Sequence, residues 1–100
     1  MKKLGAIIMA AGSGVRMGRQ KLLLPLGGRP LLDYVLSAVA ALPLADAVAV
    51  IGEPADELAG LCRRHGIRSV YNRARETGQA SSIKLGLEII APDLDGILFL

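Results

Sequence analysis

The sequence predicts an α/β fold, a doubly wound sheet of parallel strands in the order βαβαβαβ, on three observations. Its apolar residues fall in short continuous runs, as strands covered on both faces require. These runs alternate with segments whose apolar residues recur at helical spacing. Gly or Pro punctuates most junctions. Such alternation implies right-handed crossovers and a Rossmann-like parallel sheet.

Leu4 to Ala10 reads as the first buried strand, delivering the chain into a Gly-rich turn at the strand end where ligands bind in such folds. Leu22 to Leu26 is a short apolar stretch interrupted by Pro25, and Gly27-Gly28 form a turn. Pro30 suits the first turn of a helix running to about Leu42, with Leu31, Leu32, Val35, Leu36, Val39 and Leu42 at helical spacing. Pro43 ends it. Ala47 to Ile51 is the second strand, and Pro54 opens a second helix that runs to about His65 and stops at Gly66. Ile67 to Tyr71 is the third strand, leading into a loop from Asn72 to Gly78. A third helix spans about Gln79 to Ile90, with Ile83, Leu87 and Ile90 on one face and Pro92 beyond it. Gly96 to Leu100 is a fourth strand. If the first strand lies between the second and the fourth, the fourth leaves an apolar edge prone to pairing with another copy. A buried-type strand with no helix after it reads as part of a larger α/β domain, so residues 1–100 are expected to be the nucleotide-binding part of a truncated single domain.

Composition narrows the function classes. The chain has 100 residues, of which 52% are hydrophobic, so it holds one core and no more than one domain. No apolar run approaches the roughly 20 residues that span a bilayer, and Leu4 to Met9 is better read as a strand than as a signal peptide. With Cys62 as its single cysteine, the chain forms no internal disulfide, and a cytoplasmic location is the simplest expectation. The net charge is +3, with basic residues clustered at Arg16 to Lys21 and around Arg63, Arg64, Arg68, Arg73 and Arg75. Only three aromatics accompany them, which argues against a nucleic-acid surface and for a small anion such as a triphosphate.

The segment Met9-Ala10-Ala11-Gly12-Ser13-Gly14-Val15-Arg16-Met17-Gly18-Arg19-Gln20-Lys21 follows the first strand directly. Its glycines let backbone amides converge on an anion, while Arg16 and Lys21 neutralise phosphate charge, one as a planar fork and the other as a mobile point charge. A dinucleotide fingerprint requires its glycines to open a helix, and here the chain continues to Pro25 first. A P-loop requires Gly-Lys-Ser/Thr entering a helix, and Gly18-Arg19-Gln20-Lys21-Leu22 supplies neither spacing nor hydroxyl.

The stretch AAGSGVRMGRQKLLLPLGGRPLL closely resembles the opening signature of the MobA-like nucleotidyltransferases, and among them the molybdenum cofactor cytidylyltransferases. GQASSIKLGL, from Gly78 to Leu87, resembles that family's second block. The resemblance implies the N-terminal half of a nucleotidyltransferase fold, with Ala10, Ala11, Gly12, Ser13, Gly14, Arg16 and Lys21 on the triphosphate and Gly78, Ser81 and Ser82 near base and sugar. Sugar-phosphate nucleotidyltransferases are relatives, but they place a longer Pro-containing insertion between the Arg and the Lys. Guanine-using members read AGG where this chain has Ala10-Ala11-Gly12, so the Ala11 methyl favours CTP over GTP. The implied reaction transfers a nucleotidyl group, CMP from CTP, to a phosphorylated acceptor such as molybdopterin and releases pyrophosphate. Arg16 and Lys21 are the catalytic candidates.

The implied magnesium ion takes an Asp that the family carries directly after the fourth strand, past Leu100, so no metal ligand is assigned within residues 1–100. Asp93 and Asp95 precede that strand and read as turn residues. His65 reads as support for a helix C-terminus, and Cys62 as packing. Ser81 and Ser82 also fit a purely structural role in a first helical turn. A guanylyltransferase, a polyol-phosphate cytidylyltransferase and a non-catalytic nucleotide-binding or assembly module are the alternatives.

Overall fold

The computed structural model describes residues 3–11, 24–73 and 79–100. The order is β1 (Leu4–Ala10), β2 (Pro25–Leu26), β3 (Arg29–Pro30), α1 (Leu31–Ala40), β4 (Asp46–Ile51), α2 (Ala55–Arg64), β5 (Arg68–Tyr71), α3 (Gln79–Ile89) and β6 (Gly96–Phe99). Four strands form a parallel sheet in the order β5-β4-β1-β6, as the alternating runs predict.

β1 pairs on both edges, with Ile7 opposite both Val48 of β4 and Phe99 of β6. Because successive side chains of a strand point to opposite faces, β1 feeds two cores. Ala6, Ile8 and Ala10 pack with Leu32, Leu36 and Val39 of α1 and with Leu58, Leu61 and Cys62 of α2. Ile7 and Ala11 pack on the other face with Val48, Val50 and Ile90.

Gly27 (φ 61°) and Gly28 (φ 85°) form the two-residue turn that joins β2 to β3. Positive φ at both central positions is what a tight hairpin twist demands. The sequence reading found the turn but not the short antiparallel pairing it closes, Pro25 with Pro30 and Leu26 with Arg29. The Arg29 guanidinium lies 4.3 Å from the centroid of the Tyr34 ring, and Tyr34 Oη–H donates to Leu26 O at 2.5 Å.

Two expectations are corrected and a third is extended. In α1, Leu32, Leu36 and Val39 are buried, whereas Leu31 and Leu42 are exposed, so the apolar stripe is wider than the face that packs. In α3, Leu87 is exposed, and the face that meets the sheet is Ser82, Leu85, Gly86, Ile89 and Ile90. Gly86 makes that approach possible, since a Cβ there would lie 2.8 Å from Ile7 Cγ2. His65 does more than end α2: its Nε2–H donates to Asp33 Oδ1 of α1 at 2.7 Å, and Asp33 Oδ2 also accepts from Arg29 Nε at 2.7 Å. The carboxylate can only accept, which fixes the proton on Nε2. The His65 hydrogen bond first, and the Arg29 one next, hold the Asp33 carboxyl below its ordinary range.

At the N-terminal ends of the strands, Asp46 accepts hydrogen bonds from Arg68 (2.5 Å), Ala91 N–H (2.9 Å) and its neighbour Ala47 N–H (2.9 Å). Burial pushes its carboxyl up, but the bonds from Ala91, Arg68 and Ala47 outweigh that and leave it below the ordinary range. Nearby, Lys3 Nζ pairs with Asp93 at 2.9 Å, and Lys3 N–H donates to Asp95 Oδ2 at 2.6 Å. β6 forms the sheet edge, with Leu98, Phe99 and Leu100 about half exposed, and Leu100 continues the pairing through Leu100 N–H to Ile7 O and Met9 N–H to Leu100 O.

Candidate functional site

In an open parallel sheet the crevice beyond the C-terminal strand ends is where ligands bind. Here that end carries Ala10 at the tip of β1 and Ala11 after it, Gly52 after β4, and Asn72 after β5. Asn72 is 3% exposed, and its N–H donates to Ile51 O at 2.9 Å, which fastens the exit of β5 to the tip of β4. Its side-chain Nδ2 donates to Ser81 Oγ (3.1 Å) and to Ser82 Oγ (2.8 Å), in the first turn of α3.

The first turn of α3 therefore stands at the strand tips, on the face that also holds Ala11. An α-helix N-terminus presents unsatisfied N–H groups and partial positive charge, both suited to an anion. No acidic side chain occupies that first turn. The neighbouring Tyr71 points to the other face of the sheet, where Tyr71 Oη–H donates to Glu53 Oε1 at 2.6 Å.

Of the residues predicted for the site, Ala10 and Ala11 lie at the β1 tip, buried, and Ser81 and Ser82 lie at the α3 start. Gly12, Ser13, Gly14, Arg16, Lys21 and Gly78 lie outside the described residues. Ala11 is 4% exposed and packs with Ile7, Val48, Val50 and Ile90, so its methyl fills core and offers little surface to a base. Asn72, expected only to start a loop, stands instead at this strand tip, against the start of α3. The signal for it is positional, a polar side chain at the first residue past a buried strand and facing a Ser-Ser pair at a helix start.

Other groups are excluded from chemistry. Cys62 is fully buried, which pushes its thiol up to about 11 and keeps it protonated and inert, as a packing residue should be. Among the described residues, no three His, Cys, Asp or Glu side chains gather into a set that could hold a metal. Asp93 and Asp95 sit before β6, at the end of the sheet opposite the tips, and contact Lys3.

No helix among the described residues is long and apolar enough to cross a membrane. Comparison with known proteins points the same way as the strand-tip geometry. The chain is 38% identical to a 2-C-methyl-D-erythritol 4-phosphate cytidylyltransferase of Synechococcus over 92% of its own length and 43% of that protein's. It is 36% identical to the bifunctional protein GlmU of Gloeobacter violaceus over 94% of its length and 20% of that protein's. The solved structure of 4-diphosphocytidyl-2C-methyl-D-erythritol synthase from Anaerococcus prevotii superposes with a TM-score of 0.78 at 29% identity, covering 98% of this chain and 42% of that one. The chain thus spans less than half the length of these relatives. The family profile described as the MobA-like NTP transferase domain matches residues 6–100, and with a nucleotidyltransferase fold beside that match, the chain belongs to the MobA-like NTP transferase family.

Proposed function

We propose that the chain supplies the nucleotide-binding part, residues 1–100, of a cytidylyltransferase domain that transfers CMP from CTP to a phosphorylated acceptor and releases pyrophosphate. The observation that carries this reading is the meeting of two elements. β1 ends at buried Ala10, buried Ala11 follows it and Gly12 to Lys21 come next in sequence, and the first turn of α3 stands on the face of the sheet that holds Ala11.

Transfer of this kind needs positioning and charge stabilisation more than covalent chemistry by the protein. An acceptor phosphate oxygen attacks the α-phosphorus in line while the bond to pyrophosphate breaks. In this reading, amides from Gly12, Ser13 and Gly14 hold the polyphosphate, and Arg16 and Lys21 offset charge on the leaving group. Gly78, Ser81 and Ser82 approach base and ribose. Magnesium, when bound, supplies further charge neutralisation on the phosphates, with ligands outside the described set.

Support for cytosine comes from the cytidylyltransferase relatives, since the buried Ala11 methyl no longer argues for it. The acceptor is a molybdopterin-type phosphate or methylerythritol phosphate. The signature blocks favour the first and the relatives favour the second equally. With a single buried cysteine, we place the reaction in the cytoplasm. The test is pyrophosphate release by the protein with CTP or GTP and each acceptor. Release with CTP and one acceptor is the expected result; release only with GTP would overturn the base assignment, and none with any pair would leave the module reading.

A further inference from the structure

We propose that the β2–β3 hairpin is the strut that places Lys21, with Arg29 and Tyr34 as its positioning residues: they fix the hairpin to α1 and so set the point at which the Gly-rich loop rejoins the fold. This rests on the reading above, in which Lys21 offsets charge on the triphosphate. Lys21 precedes Leu24 by three residues, so chain geometry keeps its Cα within about 11 Å of that anchor.

The hairpin cannot hold its own place. Two paired residues on each side are too few for a stable ribbon. Apolar burial does not hold it either, since Leu26 is 59% exposed and Pro25 and Arg29 are exposed as well. What holds it is a set of directed contacts with α1. Leu31 N–H donates to Leu24 O at 3.0 Å, at the entry to the hairpin. Tyr34 Oη–H donates to Leu26 O at 2.5 Å, and a Cβ on Gly27 would lie 3.2 Å from that hydroxyl, so the turn sits close against the tyrosine. Arg29 covers the Tyr34 ring and grips Asp33 Oδ2 through Nε at 2.7 Å and a terminal nitrogen at 2.6 Å.

Asp33 shows that these contacts serve geometry more than stability. It is a buried carboxylate on a helix that also buries Leu32 and Leu36, and at such a position an apolar side chain stabilises at least as well as an ion pair. The carboxylate adds direction: one oxygen holds Arg29 and the other holds His65, so the hairpin is referred to α1 and α2 together. Beyond Pro30 the chain is already helix α1. The segment that gains a fixed origin is the one before Leu24, which carries Lys21.

The experiment measures binding of CTP and of inorganic tripolyphosphate to the wild type, Y34F, R29M, K21A, Y34F/K21A and R29M/K21A. Tyr34→Phe removes one hydroxyl and no charge, so a loss of affinity in it cannot come from a weaker positive field. Y34F is expected to weaken both ligands by about threefold and R29M by about fivefold, as misplacement of a charge-neutralising group should. In the K21A background neither is expected to weaken them further, because both act through Lys21. Losses additive with K21A, or a loss in R29M with none in Y34F, would assign the effect to the charge of Arg29 itself and overturn the proposal. If R29M melts early, Y34F decides: tripolyphosphate affinity at the wild-type level overturns it. Wild-type protein that binds neither ligand defeats the nucleotide-binding reading and this inference with it, whereas a loss in K21A with none in Y34F or R29M defeats only the inference.

Discussion

The two ends of the sheet are built from different chemistry. At the N-terminal end, carboxylates do the fastening: Asp46 gathers Arg68, Ala91 N–H and Ala47 N–H, and Asp93 and Asp95 hold Lys3. At the C-terminal end, the Asn72 amide donates to the Ser81 and Ser82 hydroxyls on the α3 face, and the Tyr71 hydroxyl donates to Glu53 on the other. An anion is treated differently at the two ends. A carboxylate clamp stabilises the strand starts but repels phosphate, while the start of α3, with no acidic side chain in its first turn, offers N–H groups and partial positive charge to an anion at the tips.

Perturbing each end separately should separate the two roles. The largest effect is expected from Lys21→Ala, which should lower turnover by more than about tenfold with an unchanged melting temperature. Steady-state kinetics beside a thermal melt check this; wild-type turnover would remove Lys21 from the mechanism. Next, Asp46→Ala should destabilise by about 1–3 kcal/mol, because Ala91 N–H and Arg68 lose a shared partner, yet leave CTP affinity alone. Urea denaturation and a nucleotide titration read the two quantities.

Acid should act on the carboxylate end. Asp33, Asp46 and Asp93 all lie below their ordinary range in the folded chain. A depressed folded value means a contribution that is complete above the unfolded value of about 3.9 and is lost as pH falls through the folded one. Stability should be flat from neutrality to about pH 5 on this account and fall below about pH 4, and the fall should be shallower in Asp46→Ala. The smallest effect belongs to Lys3→Ala. Lys3 and Asp93 are both well exposed, solvent and salt screen such a pair, and no change in melting temperature should be measurable.

Most of the fold was legible because it rests on local patterns. Continuous apolar runs found all four sheet strands, and Pro or Gly marked the helix limits to within a few residues. What escaped depends on which neighbour arrives. Leu87 fits an apolar face by spacing, but a helix turns its smallest residue to a close partner, so Gly86 meets Ile7 and Leu87 faces outward. His65 finds Asp33, a partner 32 residues earlier, through the packing of α1 on α2, which periodicity does not encode. At the site, the Gly-rich loop and Ser81-Ser82 stood out as motifs, whereas Asn72 gains meaning only when β5 and α3 are set side by side. Ala11 shows the converse, a motif residue whose side chain belongs to the core.

The two-sided packing of β1 has a consequence for folding. Ile7 and Ile8 are adjacent in sequence, yet one belongs to the α3 core and the other to the α1 and α2 core. Neither helical layer can separate from the sheet without exposing side chains of a strand that the other layer still holds. Every β1 partner is also distant in the chain, with Ile7 facing Val48 and Phe99, so closing the sheet brings together the beginning, middle and end of the sequence. Amide exchange along β1 should therefore proceed by whole-chain opening and show one shared protection level from Ala6 to Ile8, rather than a gradient from one face's core to the other's.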